Sequence, residues 1–195
     1  VYDYLNGKLA LKSPAHAVLD VGGVGYHVHI SLTTYAQIKD LESCKLYVSL
    51  QVREDAHTLY GFATEAERRL FGHLISVAGI GPNTGRMMLS SSTPEEIRSA
   101  IVGGQVPAIQ RIKGIGPKTA QRVILELQDK LRKENPDEGS VASSPAKQSV
   151  AEEAGSALVM LGFGRPQVDK VLAGLLAGDA GQSVEELIKA ALKKL

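Results

Sequence analysis

Two short stretches of this 195-residue chain combine residue types suited to holding an anion. Val77-Ala78-Gly79-Ile80-Gly81-Pro82-Asn83-Thr84-Gly85 recurs as Ile112-Lys113-Gly114-Ile115-Gly116-Pro117-Lys118-Thr119-Ala120, at a constant offset of 35 residues. In each copy the paired glycines allow a tight turn and let the main chain approach another surface closely. Ile80 and Ile115, between the glycines, are expected to turn inward and pin each turn to its helices. Pro82 and Pro117 preset the first turn of the helix that follows. The product is a row of free backbone N–H groups at a helix N-terminus, where the helix dipole favours negative charge. A nucleic-acid phosphate fits such a row, held without reference to base sequence.

The flanking side chains extend this reading. Lys118 and Arg122 fall one turn apart on the second following helix and can flank one strand. Thr119 adds a hydroxyl donor, and Thr84 holds the matching place in the first copy. Asn83 stands where the second copy has Lys118, which leaves Arg86 as the substitute cation. One glycine turn before a helix is weak evidence, because glycine commonly just ends a helix. Two copies in matched context are strong evidence, and the pattern resembles the tandem helix-hairpin-helix. The Lys118-Thr119 pair is not a nucleotide-binding loop. That motif needs glycine directly before the lysine and again five residues earlier, where Pro117 and Ile112 stand. ATP-driven work is therefore expected of a partner.

Charge is distributed to match. The formal net charge is only +1, but residues 63–133 carry eleven Lys/Arg against six Asp/Glu, and every other part is slightly acidic. A localised phosphate-binding surface predicts this asymmetry. Aromatic residues make up 5%, with no Trp, so base stacking is not the expected mode of contact. The single cysteine, Cys44, excludes an internal disulfide and fits a reducing cytoplasm. No apolar run approaches the roughly 20 residues of a membrane span, and the opening Val1-Tyr2-Asp3-Tyr4 lacks the layout of a signal peptide.

Other chemistry is thinly supplied. Glu54-Asp55 reads as an exposed hairpin tip, too few carboxylates for a nuclease metal site. His27 and His29 share a strand face without an evident third ligand, so surface histidines are expected rather than a metal site. Helix-hairpin-helix elements also occur in DNA glycosylases and lyases, but neither Asp129, on a charged helix end, nor Asp137 is suitably placed for catalysis. A general duplex-binding module is the remaining alternative. No cofactor and no metal are expected.

The elements that must position these residues follow from periodicity. Tyr26, Val28 and Ile30 alternate with His27, His29 and Ser31, and Leu46, Val48, Leu50 and Val52 alternate likewise, the signature of half-buried strands. With turns at Asn6-Gly7, Ser13-Pro14 and Gly22-Gly23, the first sixty residues predict a five-stranded OB-type barrel. From Thr64 the period is helical. Thr64-x-x-Glu67 reads as a capping box, Leu70, Phe71, Leu74, Ile75 and Ala78 form an apolar stripe, and Thr93-Pro94 opens a further helix. A long helix is expected from about Pro117 to Lys133, with Ala120, Val123, Ile124, Leu127 and Leu131 inward. Residues 134–149 read as a linker. Val150–Leu161, Gln167–Leu176 and Val184–Leu195 predict three short helices. The expected class is thus multi-domain α+β: a barrel (1–63), a tandem helix-hairpin-helix domain (64–133), the linker (134–149) and a small three-helix, UBA-like domain (150–195).

The whole chain resembles the bacterial RuvA family. The resemblance rests on Leu5-Asn6-Gly7-Lys8-Leu9, Gly22-Gly23-Val24-Gly25-Tyr26, Arg53-Glu54-Asp55-Ala56 with Leu59-Tyr60-Gly61-Phe62, the two hairpins, Leu158 through Phe163, and Leu187-Ile188-Lys189-Ala190-Ala191-Leu192. It implies a four-fold tetramer, or two tetramers face to face, holding a four-way Holliday junction open and planar. It places Gly79, Gly81, Gly114, Gly116, Lys118, Thr119 and Arg122 at DNA-contacting positions, to which Asn83, Thr84 and Arg86 are added from the first hairpin. It makes Glu54 and Asp55 an acidic pin that repels phosphates at the crossover. The third domain then binds RuvB, the hexameric ATPase motor, with Leu161, Phe163, Val171 and Ile188 as its expected surface. The RuvC resolvase joins as a partner in a larger complex.

Overall fold

Apolar side chains at alternate positions close the first sixty residues on themselves. In this computed structural model, which describes residues 2–134, 145–176 and 183–195, the strands are β1 (Tyr4–Lys12), β2 (His16–Val21), β3 (Val24–Ile30), β4 (Ser43–Val52) and β5 (His57–Phe62). They form a closed barrel in the order β1-β2-β3-β5-β4. The pairings are antiparallel except β3 with β5, which is parallel. Leu5, Ala17, Leu19, Val28, Ile30, Leu46 and Val48 are buried inside it.

Two departures from strict alternation have physical causes. Ser31 does not continue β3. It caps α1 (Leu32–Ile38), its hydroxyl accepting from the Thr34 N–H, and this helix between β3 and β4 was not expected from the β-like pattern. Val52, in phase with the buried Leu46 and Val48, is 63% exposed. The β4–β5 hairpin runs past the barrel core there, so its last apolar side chain has nothing to cover it.

The helices α2 (Glu65–Ser76), α3 (Pro82–Ser91), α4 (Pro94–Val102), α5 (Val106–Gln110) and α6 (Pro117–Glu134) follow. One core unites them, including Phe71, Leu74, Val77, Ile80, Met88, Leu89, Ile97, Ile101, Ile109, Ile112 and Ile115, with the five expected α6 residues and with Tyr60 and Phe62 from β5. Barrel and helices belong to one unit, Val1–Glu138.

A polar seam joins them. Thr64 caps α2 as expected, but Glu67 does not complete a capping box. Its fully buried carboxylate instead accepts from the Ser31 hydroxyl at 2.6 Å and the Thr34 hydroxyl at 2.8 Å. The helix-start signal was right and its partner wrong, because α1 offers two buried hydroxyls that need an acceptor. A true capping box forms at Thr93 and Glu96. The Thr33 hydroxyl donates to the Leu89 carbonyl at 2.6 Å, and the Leu32 N–H to the Ser90 hydroxyl at 3.1 Å.

The second unit, Gly139–Leu195, contains α7 (Pro145–Met160), α8 (Arg165–Leu176) and α9 (Val184–Leu192) around Ala154, Leu158, Val168, Leu172, Leu187 and Ala191. Helix α7 starts at Pro145, five residues before the expected Val150. Glu134, expected in the linker, ends α6; residues 135–144 of the expected linker, and the turn at Gly178–Gly181, lie outside the described residues. No helix among the described residues is long and apolar enough to cross a membrane.

Burial raises the Glu67 pKa, against the pull of the Ser31 and Thr34 hydrogen bonds and the Ala63 amide. A raised folded-state pKa means the folded protein holds this proton more tightly than the unfolded chain does. Stability is therefore lost as pH rises from the ordinary glutamate value through the raised one. Thermal unfolding should show Glu67→Gln to be better tolerated at pH 7.5 than at pH 4.5 relative to wild type. Glu67→Ala, which orphans two buried hydroxyls, should cost about 1–3 kcal/mol at either pH.

Candidate nucleic-acid interface

The two repeats fold alike. The Ile80 N–H donates to the Val77 carbonyl at 3.0 Å and the Ile115 N–H to the Ile112 carbonyl at 3.1 Å. Each turn is thereby closed over a buried isoleucine. Gly79 and Gly114 hold φ of 96° and 90°, conformations that side chains resist. Gly81 caps α3 with no side-chain bond to its first turn. Among the described residues, the backbone N–H groups of Gly79, Gly81, Gly114 and Gly116 have no partner. The first-turn N–H groups of α3 and α6, including those of Thr84 and Thr119, also lack intrahelical acceptors. Two helix starts with free N–H groups result, the arrangement that suits an anion.

The hairpins meet. A Cβ built on Gly79 would lie 4.0 Å from the Thr119 hydroxyl oxygen. Arg122 reaches across to donate to the Ala78 carbonyl at 3.1 Å, with Glu126 3.8 Å from its Nε. The exposed Lys118 makes no ion pair or hydrogen bond among the described residues. The second hairpin thus braces the first while keeping a free cation.

Their electrostatics differ. Removing the 35-residue offset from Arg111, Lys113, Lys118 and Arg122 gives Ser76, Ala78, Asn83 and Met87. All four cations therefore belong to the second hairpin. Arg111 and Lys113, both exposed, were not singled out from the sequence, although Lys113 lies inside the second repeat and Arg111 directly before it. Arg86 does not fill the gap as a free cation. Its Nη1 donates to the carbonyls of Ala15 and Ile30, both at 3.2 Å, and its Nε is buried without a partner. It corresponds to Gln121 rather than Arg122, so it lies on a different face of its helix and clamps α3 to the barrel. Asn83 also turns to the barrel, its side-chain oxygen accepting from the Tyr60 hydroxyl at 3.2 Å. Gly85 lets α3 approach α2, since a Cβ there would meet Ile75 at 3.0 Å and Phe71 at 3.3 Å.

Glu54 and Asp55 are exposed at the β4–β5 tip, which the Arg53 N–H closes onto the Ala56 carbonyl at 2.9 Å. Along β5, His57 at the foot of the tip is about 10 Å from Tyr60, three residues at the strand rise. In the second unit Leu161 is 62% exposed, whereas Phe163, Val171 and Ile188 are half-buried against its core. Met160 at 88% and Leu192 at 44% are exposed apolar residues that sequence reasoning passed over. Cys44 is half-buried, and burial pushes its thiol pKa up, away from reactivity.

Barrel, buried seam and facing hairpins define a nucleic-acid-binding protein of the barrel-plus-tandem-hairpin class. Residues 2–61 match the RuvA N terminal domain family, 71–129 the SAM-like helix-hairpin-helix tandem family, and 149–195 the RuvA C-terminal domain family. The chain is 49% identical to the Holliday junction branch migration complex subunit RuvA of Christiangramia forsetii, over 98% of each protein. It is 47% identical to the subunit so named from Cytophaga hutchinsonii, over 97% of this chain and 98% of that one, and 46% to that of Bacteroides thetaiotaomicron, over 99% of both. The chain belongs to the RuvA family.

The hairpin backbone makes a separable demand. Gly114→Ala, at φ of 90° with open space around it, should cost about 1–2 kcal/mol of stability from backbone strain alone. Gly116→Ala, equally open and free of such a φ, should unfold near the wild-type temperature. Calorimetric melting of the two variants checks this, and equal losses would contradict it.

Proposed function

We propose that the chain binds four-way junction DNA as a homotetramer, or as two tetramers face to face. It holds the junction open and planar and recruits a RuvB-type hexameric ATPase for branch migration in recombination and repair. The observation that carries this reading is the pair of facing hairpins, each presenting an uncommitted row of N–H groups. A duplex arm lies across both, its phosphates on the helix starts of α3 and α6, with Lys118, Arg111 and Lys113 adding charge. Four-fold symmetry would match four subunits to four arms.

The acidic tip supplies discrimination. Glu54 and Asp55 repel phosphates, so continuous duplex is disfavoured where the strands of a junction part and leave room. The subunit performs no chemistry itself and leaves ATP hydrolysis to the motor. The second unit docks that motor through Leu161 and its apolar surroundings, with Phe163, Val171 and Ile188 supporting the surface from beneath. The RuvC resolvase joins this assembly as a further partner. Functionally the chain divides as 1–63, 64–133, 134–149 and 150–195, and it works in the cytoplasm, where Cys44 stays reduced.

Gel-shift competition between a four-way junction and linear duplex at moderate salt tests the reading. Wild type should prefer the junction, and Glu54→Gln/Asp55→Gln should gain duplex binding several-fold. Equal binding of both DNAs by wild type would make the protein a general duplex binder. A salt titration reports how many phosphates the protein neutralises. Lys118→Ala should weaken binding to all sequences and flatten the slope of log affinity against log salt by about 0.9 for each phosphate left without its lysine.

A further inference from the structure

Strand alternation sends Val28 and Ile30 into the barrel, and therefore His27 and His29 to its outer face. Register pairs His16 of β2 with His29. The rings form a row: His16 stacks on His27 with centroids 4.7 Å apart, and His27 meets His29 edge-on at 5.1 Å. The row ends beside the first hairpin, because His29 lies 5.6 Å from the Tyr60 ring, whose hydroxyl donates to Asn83 at the start of α3. Arg86 ties the same helix to the carbonyls of Ala15 and Ile30, the immediate neighbours of His16 and His29.

We propose that His16, His27 and His29 form a proton-gated anchor for a nucleic-acid phosphate beside the first hairpin, supplying the cation that this hairpin lacks. The proposal rests on the DNA-binding reading above and extends it to the barrel surface.

The groups around the row set its chemistry. From β2 and the turn before it come His16 and Ser13, whose hydroxyl lies 2.8 Å from His16 Nδ1. From β5 comes Tyr60, and from α3 come Asn83 and Arg86. None is a carboxylate, and the ion pairs among the described residues involve none of these three histidines. Stacked rings do not converge on a common point, and no group of three or more His, Cys, Asp or Glu among the described residues could hold a metal ion. Burial first, then His27, Arg86 and His16, lowers the His29 pKa below its ordinary value. Without an anion, each added proton meets only like charge. A phosphate laid along the row reverses this balance, since it favours the imidazolium forms. Binding should then take up protons, and affinity should rise as pH falls through the histidine range.

The test is fluorescence anisotropy with a labelled four-way junction at fixed ionic strength from pH 8.0 to 5.5. Wild type, the triple variant His16→Gln/His27→Gln/His29→Gln and the single variant His27→Gln, at the most exposed ring, are compared. Wild-type affinity should rise about tenfold for each net proton taken up per pH unit in this range. The triple variant should be nearly flat while matching wild type near pH 8, and His27→Gln should fall between them. A triple variant that keeps the wild-type pH response, or a wild type with none, overturns the anchor while leaving the hairpin reading intact. Absence of DNA binding by wild type at every pH overturns both.

Discussion

A carboxylate out of reach of water fixes the relation between barrel and helices. Glu67 begins α2, while Ser31 and Thr34 begin α1, and the two helix starts share one hydrogen-bond network. Its polarity runs one way. The Thr34 and Ala63 amides donate to the two hydroxyls, and the hydroxyls donate to the carboxylate. Each hydroxyl has one proton, so both are committed to Glu67, and the network cannot be loosened at one point without orphaning another buried group. Burying the charge is unfavourable, as the raised pKa records. The network therefore adds orientation more than net stability: it admits one way of setting α2 against the barrel.

That orientation makes the functional elements a single body. With α2 set, α3 follows across the first hairpin, and Arg86, Thr33 and Ser90 hold α3 to the barrel. Through the Gly79–Thr119 approach and the Arg122 bond to Ala78, the second hairpin is referenced to the first. The repeats share a backbone and have divided the remaining work. The first spends its polar side chains on the barrel, whereas the second spends them outward as cations. Duplication of a turn fixed the N–H geometry twice, and only one copy was then needed for charge.

This division explains what was legible in the sequence. Features set by local spacing were readable: the strand alternation, the glycine turns, the buried isoleucines and the inward face of α6. Features set by what a side chain meets across the fold were not. Glu67 at the third position of a helix looks like a capping-box acid until α1 is known to lie opposite. Arg86 looks like a free cation until the Ala15 and Ile30 carbonyls are found against it. Helix α1 itself was hidden because Thr33, Thr34 and Tyr35 have strand-like propensities, overridden here by the Ser31 cap and burial of Ile38. The histidines showed the same limit, since His27 and His29 were visible as a pair but His16 joins them only through register.

Rigidity matters most for the acidic tip. Screening at physiological salt limits the reach of two exposed carboxylates to about 8 Å, so they cannot steer DNA from a distance and act only on phosphates brought against them. In the proposed complex, the N–H rows of the hairpins bring them there. If the tip could swing, repulsion would be relieved by moving the tip, and no discrimination between DNA shapes would follow. The β4–β5 pairing prevents this: it is continuous from Tyr47–Phe62 to Val52–His57 and closed by the Arg53–Ala56 bond. Tyr60 and Phe62, at the inner end of the same strand, are buried in the core of the hairpin domain. The strand that leads to the acidic tip is thus rooted among the helices that carry the free N–H groups, so in the proposed complex DNA would have to satisfy both at a fixed separation.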